Sequence, residues 1–218
     1  EEGGAITFTA SIDQIASTDL AVTVTTLVTT SFGSYTPNVP SNITISILAG
    51  SLSGSVTFTP TNNSSYDGTS NVTFAINSVV GGGAIGNTVR IPLSGTSKVV
   101  AVTENEVAPT VQLSASGSSV AENGSDIILT ATLSTSTYQD VVVSLSGSGS
   151  ATSGSDYSFQ TITISAGNTT GTSSFVPIED SLYEGVTETA VVAIGTVSGG
   201  GATENGTQSV SIAITESD

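Results

Sequence analysis

Short apolar runs recur along the whole chain, and in several of them apolar and polar residues alternate one by one. This alternation is typical of β-strands that bury one face, and turn-forming Gly, Asn, Ser and Asp separate the runs. No segment has a clear helical period. In the second half of the chain the pattern predicts seven strands, at residues 110–116, 127–134, 141–147, 161–165, 173–178, 189–194 and 209–215.

The composition also favours a β protein. Thr, Ser, Val and Gly dominate, whereas the helix-favouring residues Lys, Arg, Met and Gln are scarce. Charged residues make up 9% of the chain, against roughly 25% in ordinary soluble domains. The hydrophobic content of 37% is enough for a core. Seven short strands in about 110 residues fit an antiparallel β-sandwich in which one face of each sheet is buried.

The two halves of the chain repeat one unit. Residues 1–12, EEGGAITFTASI, align without gaps with residues 122–133, ENGSDIILTATL. Further along, PTNNSSYDG at 60–68 aligns with PIEDSLYEG at 177–185. We therefore predict an all-β protein of two tandem antiparallel Ig-like β-sandwiches, each of about seven strands, with domains at residues 1–108 and 109–218. The first domain has no counterpart of residues 110–116, so we expect it to lack its first strand. Either the chain is cut from a longer array of repeats, or the first domain exposes a groove where that strand would lie.

The charge of the chain is strongly negative and uneven. It has 18 acidic residues against Arg90 and Lys98, a net charge of −16. Seven acids and both bases fall in the first domain, and eleven acids with no base fall in the second. Without a basic patch we expect no nucleic-acid partner, and an anionic membrane surface is disfavoured. No apolar stretch is long enough to predict a membrane span.

The residue inventory argues against catalysis, and we predict that the protein is not an enzyme. His and Cys are absent, which excludes Ser–His–Asp and Cys–His sites and thiolate metal ligands. A carboxylate pair for glycoside hydrolysis is possible in principle. The acids lie at predicted loop tips, however, and the chain offers five Tyr and no Trp to stack against sugars.

Four motifs at predicted strand ends make the second domain resemble a Calx-beta domain, the repeat of sodium–calcium exchanger regulatory regions and large bacterial cell-surface adhesins. They are VAENG (120–124), SGSDYSF (153–159), PIEDSLYEG (177–185) and ITESD (214–218). The family binds calcium at one tip of the sandwich. The resemblance implies that Ca²⁺ is held here by Glu122, Asp156, Glu179, Asp180, Glu184, Glu216 and Asp218. Glu188 is near a further family position but shifted by one.

Elementary calcium chemistry supports a site of this kind in the second domain. Ca²⁺ takes about six to eight oxygen ligands from a flexible cage, and the loops at one end of a β-sandwich come from distant parts of the sequence. In the first domain Ser34, Asn62 and Asn63 stand where the second has Asp156, Glu179 and Asp180, whereas carboxylates remain at Glu1, Asp67, Glu104 and Glu106. Because affinity depends on ligand charge, we expect a weak or absent first site.

These observations favour a non-enzymatic structural module of a secreted or cell-surface protein, a calcium-stiffened stalk or filament segment of an adhesin. Its partners would be calcium ions and neighbouring repeats or subunits of the same protein. Two other hypotheses stay open. One is an adhesive module that binds surface glycans, another surface or ice through its loops or a Thr-rich face. The other is a filament subunit that receives a strand from a neighbour in its first domain.

Overall fold

The computed structural model describes residues 3–30, 39–83, 97–181 and 187–217. These residues contain strands and no helix, so none of the described segments is a helix that could cross a membrane. The chain divides into two compact units. The first unit consists of residues 1–63 and 68–105, and the second unit of residues 64–67 and 106–218.

The first unit has six strands among its described residues: β1 (Ile6–Ser11), β2 (Leu20–Thr30), β3 (Asn42–Ile47), β4 (Ser53–Phe58), β5 (Ser70–Gly81) and β6 (Ser97–Val102). They form a two-stranded sheet, β1-β4, and a four-stranded sheet in the order β3-β2-β5-β6. The alternating sequence sets the buried face. In β3 every second residue, Ile43, Ile45 and Ile47, is buried, and the polar residues between them are exposed.

The second unit has ten strands: β7 (Thr110–Ala115), β8 (Ser119–Ala121), β9 (Ile127–Leu133), β10 (Val141–Gly149), β11 (Tyr157–Phe159), β12 (Ile162–Ile164), β13 (Thr170–Pro177), β14 (Glu188–Ser198), β15 (Thr203–Glu204) and β16 (Ser209–Thr215). Two five-stranded sheets, β11-β13-β9-β7-β15 and β12-β10-β14-β16-β8, form a sandwich. All seven predicted strands are present. The three additional ones, β8, β11 and β15, have only two or three residues, too few to show an alternating pattern.

The two repeats use equivalent glycines and aspartates for the same loop contacts. Gly81 and Gly199 both have positive φ, and a Cβ on either would lie 2.1 Å from the carbonyl oxygen of Asp19 or Asp140. Each of these aspartates accepts a hydrogen bond through Oδ1 from a backbone N–H, of Ala49 or Ala166 respectively, at 2.8 Å. The glycines are therefore required by a close backbone approach, and the two aspartates have the same loop-holding role.

The two units differ in how many apolar side chains are buried in their cores and in which sheets supply them. In the second unit nineteen apolar side chains are buried, and they come from both sheets and the adjoining loops. In the described part of the first unit there are nine, and all of them come from the four-stranded sheet. The apolar side chains of β1 and β4 that pack against them are only half-buried. Among the described residues, the two-stranded sheet therefore contributes only half-buried side chains to the core.

Candidate metal centre

Strand pairing places Asp156 beside the acidic pair of the β13–β14 loop. β11 and β13 are antiparallel, with Tyr157 opposite Pro177. One residue beyond this pair, the Ile178 N–H donates to the Asp156 carbonyl oxygen at 2.9 Å. Glu179 and Asp180 follow directly, at exposed positions. The backbone therefore brings Asp156 and the later pair Glu179 and Asp180 to one end of the sheet that contains β11 and β13.

The second sheet brings Glu122 and Glu216 to a shared end in the same way. β8 runs parallel to β16, with Ala121 beside Thr215. The N–H of Glu122 donates to the carbonyl oxygen of Thr215 at 3.1 Å. Each glutamate is thus the first residue after its strand, and the two follow neighbouring strands that end together.

The ends of the two sheets are joined by hydrogen bonds at the start of β14. Glu188, its first residue, is opposite Ile214 and so lies at the end where β16 finishes. The next residue, Thr189, receives a hydrogen bond at its carbonyl oxygen from the Ala151 N–H at 3.2 Å. The residue after Ala151 is Thr152, and its backbone N–H donates to Oδ2 of Asp156 at 2.5 Å. We call this the acidic end of the second unit, defined by Glu122, Asp156, Glu179, Asp180 and Glu216.

Burial at the acidic end creates an electrostatic problem for the second unit. Glu122 is 8% exposed, and Glu122 and Glu216 each have a fully buried carboxylate oxygen atom. An ionised carboxylate that leaves water loses several kcal/mol of hydration free energy unless a positive group or hydrogen bonds compensate. Residues 64–67 and 106–218 contain no Lys, Arg or His. Within this unit, positive charge can therefore come only from a bound cation or a proton.

Two features of the acidic end were not predicted from the sequence. One is the hydrogen bond from Thr152 to Asp156, and the other is the buried side chain of Tyr157. Tyr157 is completely buried and stacks on Phe175 with 4.9 Å between ring centroids. Burial, and secondarily the Asp156 carboxylate, raise the pKa of the Tyr157 hydroxyl above its usual value. The only sequence signal was the position of this tyrosine directly after the predicted ligand Asp156.

A complete metal cage is not formed by the described residues. No group of three or more carboxylates lies close enough together to hold a metal ion within residues 3–30, 39–83, 97–181 and 187–217. Two of the seven predicted ligands, Glu184 and Asp218, lie outside these ranges. The predicted ligand set therefore stays a prediction, of which the structure places five members at one end of the sandwich.

The equivalent end of the first unit is held by protein hydrogen bonds. The Glu104 carboxylate accepts from the N–H of Gly68 at 3.0 Å and from the N–H of Asn105 at 3.1 Å. The side-chain amide of Asn105 donates to Oδ1 of Asn62 at 2.9 Å. Of the other residues predicted at this end, Glu1 and Ser34 lie outside the described residues. Asn62, which stands where the second unit has Glu179, therefore takes part in an amide–amide contact.

The first copy of the loop, which has Asn62 and Asn63 in place of the acidic pair, also contributes to the second unit. Within PTNNSSYDG, residues 64–67 belong to that unit. The N–H of Tyr66 donates to the Ser136 carbonyl oxygen at 2.8 Å, and the hydroxyls of Ser65 and Ser136 are 2.7 Å apart. Thr135 Oγ1 donates to the Ser64 carbonyl oxygen at 3.2 Å. Neutral main-chain and hydroxyl groups therefore position this segment.

Comparison with known proteins gives similarity of structure alone. The chain is similar to calcium-binding domains of CALX. The crystal structure of the apo-form Calx CBD1 domain has 15% identity, a TM-score of 0.41 and covers 50% of this chain and 99% of its own. The structures of CBD12 from CALX1.2 and of the calcium binding domain CBD12 of CALX1.1 have 11% identity, TM-scores of 0.40 and 0.38, and cover 97% of this chain and 93% of their own. No protein-family model and no curated protein matches the sequence. The fold described above rests on the chain's own strand pairing.

Proposed function

We propose that the second unit is a non-enzymatic module that binds Ca²⁺ at its acidic end and serves as a structural segment of a secreted or cell-surface protein. The ligands would be drawn from Glu122, Asp156, Glu179, Asp180, Glu184, Glu216 and Asp218. In an adhesin stalk or filament, repeats of this kind would be stiffened because the ion ties together loops from both sheets. Calcium supplies positive charge and accepts carboxylate and carbonyl oxygens in a flexible geometry.

The observation that carries the proposal is the burial of Glu122 in a unit without any cationic side chain. Its backbone follows β8 beside the end of β16, where Glu216 has a second buried carboxylate oxygen. Like charges in a medium of low dielectric repel strongly. A divalent cation offsets both negative charges at once, which a single proton cannot do.

Thermal unfolding with and without calcium tests the proposal. Calcium that binds only the folded unit at a hundred times its Kd adds about 2.7 kcal/mol of stability. For a domain of this size that corresponds to a rise in Tm of roughly 10 °C in the transition of the second unit. Calorimetry in EDTA and in millimolar CaCl₂ would resolve this transition, and isothermal titration would give the stoichiometry.

A matched pair of variants separates a specific site from a general effect of charge. Glu122→Gln removes one charge at the acidic end and should weaken calcium binding by about tenfold or more. Glu204→Gln removes one charge from β15, which pairs with the start of β7 at the opposite end. Gln there keeps an oxygen to accept the hydrogen bond that Glu204 receives from the Gln208 N–H. An unchanged Tm in calcium, or equal weakening by both variants, would refute the proposal.

A further inference from the structure

The tripeptide Glu-Asn-Gly occurs twice in the second unit, at residues 122–124 and 204–206, and nowhere else in the chain. Asparagine loses its side-chain amide most easily when glycine follows it. The glycine backbone nitrogen attacks Cγ of the asparagine, ammonia leaves, and a five-membered succinimide ring forms. Glycine permits this attack because it has no Cβ to obstruct it. Since the two tripeptides are identical, a difference in their reactivity has to come from the structure.

The glycine of the first copy is held by its surroundings. The N–H of Gly124 donates to the carbonyl oxygen of Ala121 at 2.8 Å. A Cβ on Gly124 would lie 2.7 Å from Cγ2 of Val120 and 2.8 Å from the same carbonyl oxygen, so the backbone has no room to move on this side. Ring closure at Asn123 therefore requires this turn to open first, although the asparagine itself is exposed.

The glycine of the second copy is unobstructed. Asn205 and Gly206 are both exposed, and a Cβ placed on Gly206 would meet no atom within 4 Å. The Gly206 N–H donates no hydrogen bond to any residue that the structure describes. The reacting nitrogen is therefore available in the folded state, without prior opening of the chain.

The hydrogen bonds around Asn205 position its peptide unit without occupying the Gly206 N–H. The Asn205 N–H donates to the Val111 carbonyl oxygen at 3.0 Å. The side-chain amide of Gln208 donates to the Asn205 carbonyl oxygen, which belongs to the same peptide unit as the Gly206 N–H. A hydrogen bond to this oxygen polarises the peptide unit. It therefore favours loss of the Gly206 proton, which the attack requires.

We propose that Asn205 is a site of spontaneous deamidation in the folded protein, whereas the fold protects Asn123. The Gly206 nitrogen forms a bond to Cγ of Asn205. Its proton passes through solvent to the side-chain nitrogen, which leaves as ammonia. Water then adds to either carbonyl carbon of the succinimide and opens the ring, which gives aspartate or isoaspartate. Water is the only co-reactant, no group is oxidised or reduced, and the reaction does not depend on calcium binding.

Deamidation changes both the charge and the main chain at this end of the second unit. Either product adds a carboxylate beside Glu204 and makes the net charge of −16 more negative by one. Isoaspartate also inserts a methylene group into the main chain directly after β15. This strand pairs with the start of β7, with Glu204 beside Val111. We therefore expect isoaspartate at residue 205 to loosen this pair and to speed amide hydrogen exchange at Val111.

Peptide mapping by mass spectrometry of the full chain tests the proposal. The folded protein is incubated at mildly alkaline pH and digested after glutamate, because the second unit has no Lys or Arg. Synthetic peptides of residues 119–127 and 201–209 give the rates without the fold and should react similarly. In the folded chain Asn205 should react at nearly the rate of its peptide. Asn123 should be slowed about tenfold or more, because the hydrogen bond of Gly124 has to open.

Two variants and a denaturant provide the controls. Asn205→Gln keeps an amide at the exposed position, but its longer side chain does not form the five-membered ring. The reaction at residue 205 should therefore fall to background. Asn205→Asp supplies the aspartate product as a chromatographic reference. Unfolding in urea should raise the rate at Asn123 to that of its peptide and leave the rate at Asn205 nearly unchanged.

Four results would overturn the proposal. One is that Asn205 stays intact in the folded chain while its peptide reacts. Another is that the fold slows both asparagines equally, and a third is that Asn123 reacts first. The fourth is a product at residue 205 that contains aspartate without isoaspartate, because direct hydrolysis would give this product without the Gly206 nitrogen.

Discussion

The contact between Gly147 and Tyr157 makes a sharp test of the packing in the second unit. Gly147 lies in β10, directly against the buried end of the Tyr157 ring. A Cβ on Gly147 would lie 2.3 Å from the tyrosine Oη, 3.2 Å from Cζ and 3.3 Å from Cε2. The ring cannot turn aside easily, because it is completely buried and stacked on Phe175. We predict that Gly147→Ala destabilises the second unit.

The magnitude follows from two opposing effects. Overpacking of a core by one methyl group costs about 1–3 kcal/mol. Alanine regains about 0.5–1 kcal/mol, because it loses less backbone entropy on folding than glycine, and Gly147 does not have the positive φ that would add strain. The net loss should be about 1–2 kcal/mol, a fall in Tm of roughly 5–10 °C for the second unit.

Tyr157→Phe should rescue this loss. The tyrosine hydroxyl is buried and has no hydrogen-bond partner within the described residues. Such a group costs about 1–3 kcal/mol of desolvation, so its removal should be neutral or stabilising. It also deletes the atom nearest to the added methyl group. The double variant Gly147→Ala/Tyr157→Phe should therefore show a favourable coupling energy of about 1 kcal/mol.

Differential scanning calorimetry of the full chain and the three variants would give the double-mutant cycle. Gly117→Ala is the matched control, because a Cβ there would meet its nearest neighbour, Ile127 Cδ1, at an ordinary 3.5 Å. It should leave the transition unchanged or raise it slightly. If Gly147→Ala is as mild as Gly117→Ala, or if the two core changes are additive, the steric explanation is wrong.

Two further predictions concern pH and loop capping. Since burial raises the pKa of Tyr157, the unfolded state loses this proton first, so stability is full below about pH 10 and falls as pH rises above it. Melting between neutral and alkaline pH should show a smaller loss for Tyr157→Phe, and parallel curves would contradict the assignment. Asp140→Ala removes the acceptor of the Ala166 N–H and should destabilise the second unit by about 1–2 kcal/mol. Asp19→Ala should do the same to the first unit, and each should leave the other unit's calorimetric transition in place.

Much of the architecture could be read from local pattern. Strands depend on alternation over a few residues, and all seven strands predicted in the second half of the chain are present. The repeat was equally visible because its glycines and turn residues are fixed by backbone geometry. Short strands such as β11 and β15 were missed, since two or three residues carry no period of their own.

Reasoning from the sequence predicted the candidate calcium site only in part. The family resemblance implied that Glu122, Asp156 and Glu216 gather at one end, and the pairing of β8 with β16 and of β11 with β13 places them there. Sequence spacing could not tell which acids are buried. It also gave no sign that Asp140 holds a loop through a backbone N–H, because that contact joins residues 26 positions apart.

The sequence by itself determined the all-β class, the twofold repeat and the absence of basic residues from the second half of the chain. Tertiary structure decided where residues 110–121 divide between two sheets, how deeply Glu122 is buried and how deeply the side chains of β1 are buried. The physical reason is that alternation specifies which face of a strand is apolar, whereas burial depends on neighbouring strands that are distant in sequence. For β1 and β9, nearly the same sequence therefore has two different degrees of burial.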